Sequence, residues 1–362
     1  MFINTLGRYF AGRFVSSAVS VFVGIFVLLV LVDYIEMVRR TSGIANISGL
    51  LVAQTSLYRV PLLLERMMPF CVLVGGMTCY LALSRRLELV IARAAGISAW
   101  QFVAPALWSA LILGALATAI YNPVSAEMQE RSKELEAMIF ADRGGGMQDA
   151  SGFWINQVNS EGQAIINASS SQAQGERLLG VTVFRFGLDG EFSERIEARE
   201  ASLEPGQWVF RNARRYTMEG VPDDLDTFTL ATSLTLAQVR NSFSTPETVS
   251  FWQLPQYIAS SAGSGLATAG YRLQYHKLLS RPFLLAAMVL LAASVSLRFF
   301  RFGGVQKMVL SGVASGFLLY VLSKVTDDLS KAELMNPIAA AWLPVFVGGL
   351  TGFLALLYQE DG

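Results

Sequence analysis

The sequence predicts a membrane α-helical bundle of six transmembrane helices carrying one inserted, periplasmic, all-β domain of jelly-roll-like kind. Three observations predict it: the overall composition, the placing of six long apolar runs, and one long polar stretch in which apolar residues alternate. Of 362 residues, 53% are hydrophobic and only 15% are charged, and the mean hydropathy is +0.44. An ordinary soluble domain carries more charge than this. Basic and acidic side chains number 28 each, so no nucleic acid is expected among the partners.

A helix crosses a bilayer with about 20 mostly uncharged residues. Six runs qualify: 14–32, 67–83 (extended back toward Pro61), 97–126, 278–297, 305–325 and 338–358. The first follows Arg8 and Arg13 and is succeeded by Asp33 and Glu36 rather than by a small-residue cleavage site, so it reads as an uncleaved anchor. The third has Trp100 and Trp108 near its start and Tyr121 near its end. The fourth holds Arg281 near one end, where its side chain is expected to snorkel to the interface.

Basic residues beside the helix ends set the orientation. With the N-terminus cytoplasmic, the inner segments hold Arg8, Arg13, Arg85, Arg86, Arg93, Arg298, Arg301 and Lys307, while the outer loops mix fewer basic residues with Asp33, Glu36, Asp327, Asp328 and Glu333. Both termini are therefore expected in the cytoplasm, and residues 123–255 on the outer side of the membrane. That middle region holds 11 basic against 19 acidic residues.

Apolar residues in the middle region alternate as in half-buried strands at 153–155, 164–166, 179–186, 208–210 and 227–230. Turn signals separate them, among them Asp189-Gly190, Pro205-Gly206 and Pro222-Asp223-Asp224. Short strands without intervening helices predict a sandwich or jelly roll. Helical pieces flank them at 125–140 and 250–261, and Gly144-Gly145-Gly146 marks a hinge. The expected division is 1–122 (three spans), 123–255 (β domain) and 256–362 (three spans).

Several chemistries find no residues. No Gly-x-x-x-x-Gly-Lys-Ser/Thr phosphate loop occurs, and one histidine, His276, provides no cluster for zinc or a catalytic triad. Cys71 and Cys79 lie eight residues apart on one apolar helix and read as packing. The spans hold almost no carboxylates, which disfavours a proton-coupled carrier. No catalytic residue, metal or cofactor is expected, and any transport is driven from elsewhere.

The loop after the second span carries the most specific signal. Residues 84–98 read as a short amphipathic helix ended by Gly96, with Leu87, Val90, Ile91 and Ala94 on one face and Arg86, Glu88 and Arg93 elsewhere. It reads either as an interfacial helix with basic anchors or as a coupling helix docking into a cytoplasmic ATPase. A lone carboxylate among arginines suits an ion pair to a partner or one within the helix.

Here the chain resembles the lipopolysaccharide export permeases of the LptF/LptG family. The Arg86-Leu87-Glu88-Leu89-Val90 run, continued by Ala94-Ala95-Gly96-Ile97-Ser98, looks like that family's coupling helix. Tyr271, Lys277 and Pro282 entering the fourth span, and Ser315-Gly316-Phe317-Leu318-Leu319-Tyr320-Val321-Leu322 in the fifth, are further matches. The resemblance implies a half-transporter that pairs with an LptF-like permease above an LptB-like ATPase dimer, where ATP is hydrolysed. It implies lipopolysaccharide as substrate, passed to an LptC-like membrane protein and an LptA-like periplasmic bridge. Arg85, Arg86, Glu88, Arg93 and Gly96 would serve ATPase coupling. Arg39, Arg40 and Lys133 match basic positions at the outer rim, and Phe317 and Tyr320 match cavity-facing positions. Asp33 stands where the family often has lysine, a departure that alters the implied headgroup contact. Three functions stay open on sequence: an ATP-driven lipid extractor, a non-transporting envelope scaffold, and the permease of another lipid or lipoprotein export system.

Overall fold

The computed structural model describes residues 5–43, 47–140, 153–159, 162–172, 177–187, 191–217, 222–232, 239, 246–262, 268–300 and 304–361. Gly144 to Gly146 and Arg301 lie outside the described residues. The chain divides into two compact units, one made of Met1–Leu135 with Pro246–Gly362, the other of Glu136–Thr245.

Six helices of the first unit are long and apolar enough to cross a membrane. They include α1 (Thr5–Thr41) and α2 (Gly49–Arg85). The third begins as α4 (Ala99–Leu116), passes one π-helical stretch (Ala117–Tyr121) and continues as α5 (Asn122–Phe140). After a short α6 (Leu254–Ala262) come α7 (Thr268–Phe300), α8 (Val305–Lys331) and α9 (Pro337–Asp361). The seven-residue α3 (Glu88–Ala94) lies between α2 and α4.

The second helix is longer than its apolar run, because Arg59, Pro61, Glu65 and Arg66 interrupt the hydropathy without ending the helix. Ser48 starts it, its hydroxyl accepting from the Leu50 amide at 3.3 Å. At 1.5 Å per residue its 37 residues extend roughly 55 Å, well past a hydrocarbon core of about 30 Å. The core of the bundle is a continuous cluster from α1, α2, α4, α7, α8 and α9, including Phe14, Leu73, Phe102, Val103, Leu285, Ala292 and Leu356. Cys71 and Cys79 are buried free thiols on α2. Small residues set the close approaches. A Cβ on Gly75 would lie 2.6 Å from the Ala18 Cα of α1, and one on Gly114 would overlap the Pro282 backbone of α7. Gly312 and Gly316 of α8 face Met77 and Leu73 of α2, and Gly352 of α9 faces the α7 backbone at Leu290 and Leu291.

The second unit is all-β. Strands β1 (Phe153–Asn159), β2 (Gly162–Gln172), β3 (Arg177–Phe186), β4 (Phe192–Glu204), β5 (Gln207–Thr217) and β6 (Asp223–Ala231) pair antiparallel in sequence order. This is a meander; the crossover that defines a jelly roll is absent among the described strands. Pro205-Gly206, with Gly206 at φ 83°, closes the β4–β5 hairpin, as a type II turn requires. Inward alternation breaks once in each of three strands, leaving buried pairs three residues apart: Leu178 and Val181, Ala198 and Ala201, Phe210 and Ala213. Left-handed backbone at Gly180 (φ 58°) and Asn212 (φ 51°) lies on this line, so the sheet creases there. It wraps around Ile166, Val183, Ile196, Trp208, Phe210 and Leu230. The curl brings the first strand to the end of the last: the Gln157 amide donates to the Ala231 carbonyl at 3.2 Å, and the Thr232 hydroxyl donates to Gln157 at 2.7 Å.

Candidate functional site

The expected helix over 84–98 is shorter than read. Arg85 belongs to the last turn of α2, Arg86 follows it, and Leu87 in left-handed conformation (φ 60°) breaks the chain direction before α3 begins at Glu88. Gly96 (φ 80°) ends α3 in a Schellman arrangement, with Gly96 N–H bonded to Arg93 O at 2.9 Å and Ile97 N–H to Ala92 O at 3.1 Å. Leu89 and Ala92 are buried against the bundle. The other face, formed by Leu87, Val90, Ile91 and Ala94, is exposed, as are Arg85 and Arg86. An anchored seven-residue helix thus presents an apolar patch flanked by guanidinium groups. The partner of Glu88 comes from another helix of the chain: Glu88 accepts from the Tyr9 hydroxyl of α1 at 2.9 Å, and Arg13 donates to the same hydroxyl at 3.1 Å.

At the opposite end of the bundle, where the chain leaves for the β domain, charges are paired in layers. Glu65 of α2 is buried and accepts from Arg281 of α7 at 2.5 Å, from the Asn122 amide at 2.9 Å, and from the Ser125 hydroxyl. Asn122 in turn accepts from the Phe251 amide at 2.9 Å. Arg281, with 15% of its side chain exposed, therefore turns inward to a carboxylate instead of snorkelling. The near-absence of carboxylates in the spans is corrected by the same residue: Glu65 precedes the run that begins at Met67 but lies on the same helix. It sits roughly 30 Å along the helix from Arg85, about one hydrocarbon thickness. The π-helical stretch shares this layer, since the Thr118 hydroxyl donates to the Leu278 carbonyl at 2.9 Å and the Tyr121 hydroxyl to the Pro61 carbonyl at 3.0 Å. Further out, Asp33 of α1 pairs with Arg59 of α2 at 3.7 Å. Glu247 binds Arg66 and lies 3.7 Å from Lys331, and Lys277 binds Asp327 at 2.6 Å.

The residues expected at the substrate surface are exposed and come from separate helices. Arg39 and Arg40, on the last turn of α1, both bind Glu36, at 2.8 and 2.9 Å, with side chains 76% and 51% exposed. Lys133 is exposed on α5 beside Ser132, whose hydroxyl donates to the Thr55 carbonyl of α2 at 3.4 Å. Phe317 and Tyr320 are exposed on α8, and the Tyr320 ring lies 5.8 Å from Phe70 of α2. Helix α2 thus carries the contacts of both flanking helices, α1 on one side through Gly75 and Asp33–Arg59, and α8 on the other through its glycines and Phe70. No direct contact joins Arg39 or Arg40 to Phe317 or Tyr320 among the described residues. Sequence reading overlooked Glu65, Arg59 and Tyr9. The signal for the first two was a pair of opposite charges inside a helical stretch interrupted by Pro61.

Six spans, a short helix with an exposed apolar face between the second and third of them, and an all-β insertion in the chain between the third and fourth define a polytopic membrane protein of permease type. The chain belongs to the family described as lipopolysaccharide export system permease LptF/LptG, whose model matches residues 8–358. It is similar to the lipopolysaccharide export system permease protein LptG of Escherichia coli K12, 23% identical over 331 residues that cover 87% of each chain. It is also similar to LptG of Haemophilus influenzae Rd, 22% identical over 354 residues covering 94% of this chain and 95% of that one.

Proposed function

We propose that this protein is the permease subunit of an ATP-driven lipopolysaccharide extractor in the bacterial inner membrane, with its termini cytoplasmic and its β domain periplasmic. The observation that carries the reading is the exposed apolar face of α3 on a chain that belongs to this permease family from end to end. Leu87, Val90 and Ile91 are the side chains that insert into an LptB-like ATPase, with Arg85, Arg86 and Arg93 beside them and Gly96 ending the helix. An LptF-like permease completes the transporter. The extracted lipid passes to an LptC-like membrane protein and an LptA-like periplasmic bridge.

Substrate contact is assigned to the exposed cations and rings. Arg39 and Arg40 both pair with Glu36, and a lipid phosphate competes with that carboxylate for two guanidinium groups. Lys133 adds a third cation, and Phe317 and Tyr320 offer apolar surface to acyl chains. The protein itself hydrolyses no nucleotide in this scheme and needs no cofactor.

The test is Ile91→Asp, read by co-purification with the ATPase from membranes that express all subunits. The variant is expected to lose the ATPase while retaining the permease partner, because position 91 is 66% exposed. Full ATPase retention would remove α3 as the docking element.

A further inference from the structure

The helix α1 is held to the bundle chiefly at its two ends. Its buried residues are Phe10, Phe14 and Ala18 near the start and Asp33, Met37 and Thr41 near the finish; the fourteen positions 19–32 contain none. At each end a polar contact reaches a charged side chain of a neighbouring element. At the insertion end it is Asp33–Arg59. At the α3 end it is the Tyr9 hydroxyl bonded to Glu88, the first residue of α3, across 79 residues of sequence. Arg13 fixes the donor's position twice over, by its hydrogen bond to the Tyr9 oxygen and by its guanidinium lying 5.3 Å from the Tyr9 ring centre.

We propose that Tyr9 is a positioning residue that ties α1 to the docking helix α3, so that displacement of α3 moves α1 about its outer anchor at Asp33–Arg59. The inference rests on the reading of α3 as the ATPase-docking element. Covalent connection links α3 only to α2 and α4; the Tyr9–Glu88 bond adds the one long helix whose middle is least embedded. A phenol donating to a carboxylate is a charge-assisted bond, and its loss shifts a local tied–untied equilibrium by about tenfold. Because α1 runs roughly 36 Å from Tyr9 to Asp33, it carries a movement at one membrane face to the other as a rigid strut. Its middle makes only partly buried contacts, such as the Phe22 ring 5.9 Å from that of Tyr121, and yields more readily than its ends.

The experiment uses the reconstituted complex of this chain with its permease partner and ATPase, comparing the native chain with Tyr9→Phe. The substitution keeps the ring and its contact with Phe10 and deletes only the hydroxyl. The expected result is an ATPase that co-purifies at the native ratio and hydrolyses ATP within twofold of the native rate, with lipid released per ATP reduced at least fivefold. A second measurement places nitroxide labels at the exposed Ser16 and Ala95, the latter off the docking face, and reads their separation by double electron–electron resonance through the nucleotide cycle. The native chain is expected to show one narrow distance throughout, and Tyr9→Phe a broad one. Unchanged release per ATP with an unchanged distance overturns the tie. Release and hydrolysis falling together, with a narrow distance retained, also overturns it, since Tyr9 is then a residue of ATPase assembly alone. If the native complex releases no lipid, the extractor reading fails, and the distance measurement still decides the tie.

Discussion

Removing Arg281 should expose how much the bundle depends on its buried ion pair. In Arg281→Met the Glu65 carboxylate, 3% exposed, loses the cation it pairs with and keeps the Asn122 and Ser125 donors. Breaking a buried pair by deleting one partner costs about 3–5 kcal/mol. Two surviving hydrogen bonds to the charge place Arg281→Met near the lower figure, about 3 kcal/mol. Glu65→Leu belongs near the upper figure, because it strands the guanidinium and also leaves the Asn122 amide without its acceptor, a further loss of about 1–3 kcal/mol. The double substitution removes both charges together, and apolar replacement of a whole pair is close to neutral. It should therefore cost at least 2 kcal/mol less than the sum of the single changes. Equilibrium unfolding in mild detergent, followed by tryptophan fluorescence, measures all three. Single variants each within 1 kcal/mol of the native chain, or strict additivity in the cycle, would refute the buried-pair argument.

Close helix approaches should sort by what a methyl group meets. Gly75→Ala, directed at the Ala18 backbone, is expected to cost about 1–3 kcal/mol, whereas Gly312→Ala meets only the flexible end of Met77 and should cost less; thermal midpoints of the two variants test the order. In the β domain, Gly180→Ala places a Cβ at φ 58° and 2.8 Å from the Ser169 hydroxyl oxygen. Its expected cost is about 1–2 kcal/mol, while Asn212→Gly, at φ 51°, should be neutral or better, as denaturant midpoints will show. The Arg214 hydrogen bond holds the Asp224 carboxyl below the ordinary aspartate range. Its small contribution to stability is thus present above the unfolded-state value and lost as pH falls through the lower folded one. Arg214→Gln should raise the Asp224 midpoint in a carboxyl NMR titration.

Hydropathy made the six crossings legible because each contains an uninterrupted apolar run, and Gly96 was legible as a helix end because a left-handed C′ position favours glycine. The extension of α2 was not. Arg59, Glu65 and Arg66 look like a break until their partners are known, and those partners, Asp33, Arg281 and Glu247, lie far away in sequence. Strand β4 escaped notice for a related reason. Its outward positions are charged, its inward ones include the small Ala198 and Ala201, and Glu194 faces inward between Arg185 and Arg215. The break before α3 was hidden because leucine rarely adopts positive φ. Among the candidate residues, exposure of the α3 apolar face followed from the pattern only once Leu89 and Ala92 were seen to take the buried side. Tyr9 carried no local signal at all, since its partner is 79 residues away.

The central claim is that this chain, together with a permease partner and an ATPase, extracts lipopolysaccharide from a bilayer. Its most direct test is reconstitution of the three proteins in proteoliposomes containing labelled lipopolysaccharide, with a soluble periplasmic acceptor outside. The account predicts ATP-dependent transfer of label to the acceptor that is abolished by Ile91→Asp and reduced by charge reversal at Arg39 and Arg40. Transfer that is independent of ATP, or that proceeds undiminished with Ile91→Asp in place, would contradict it.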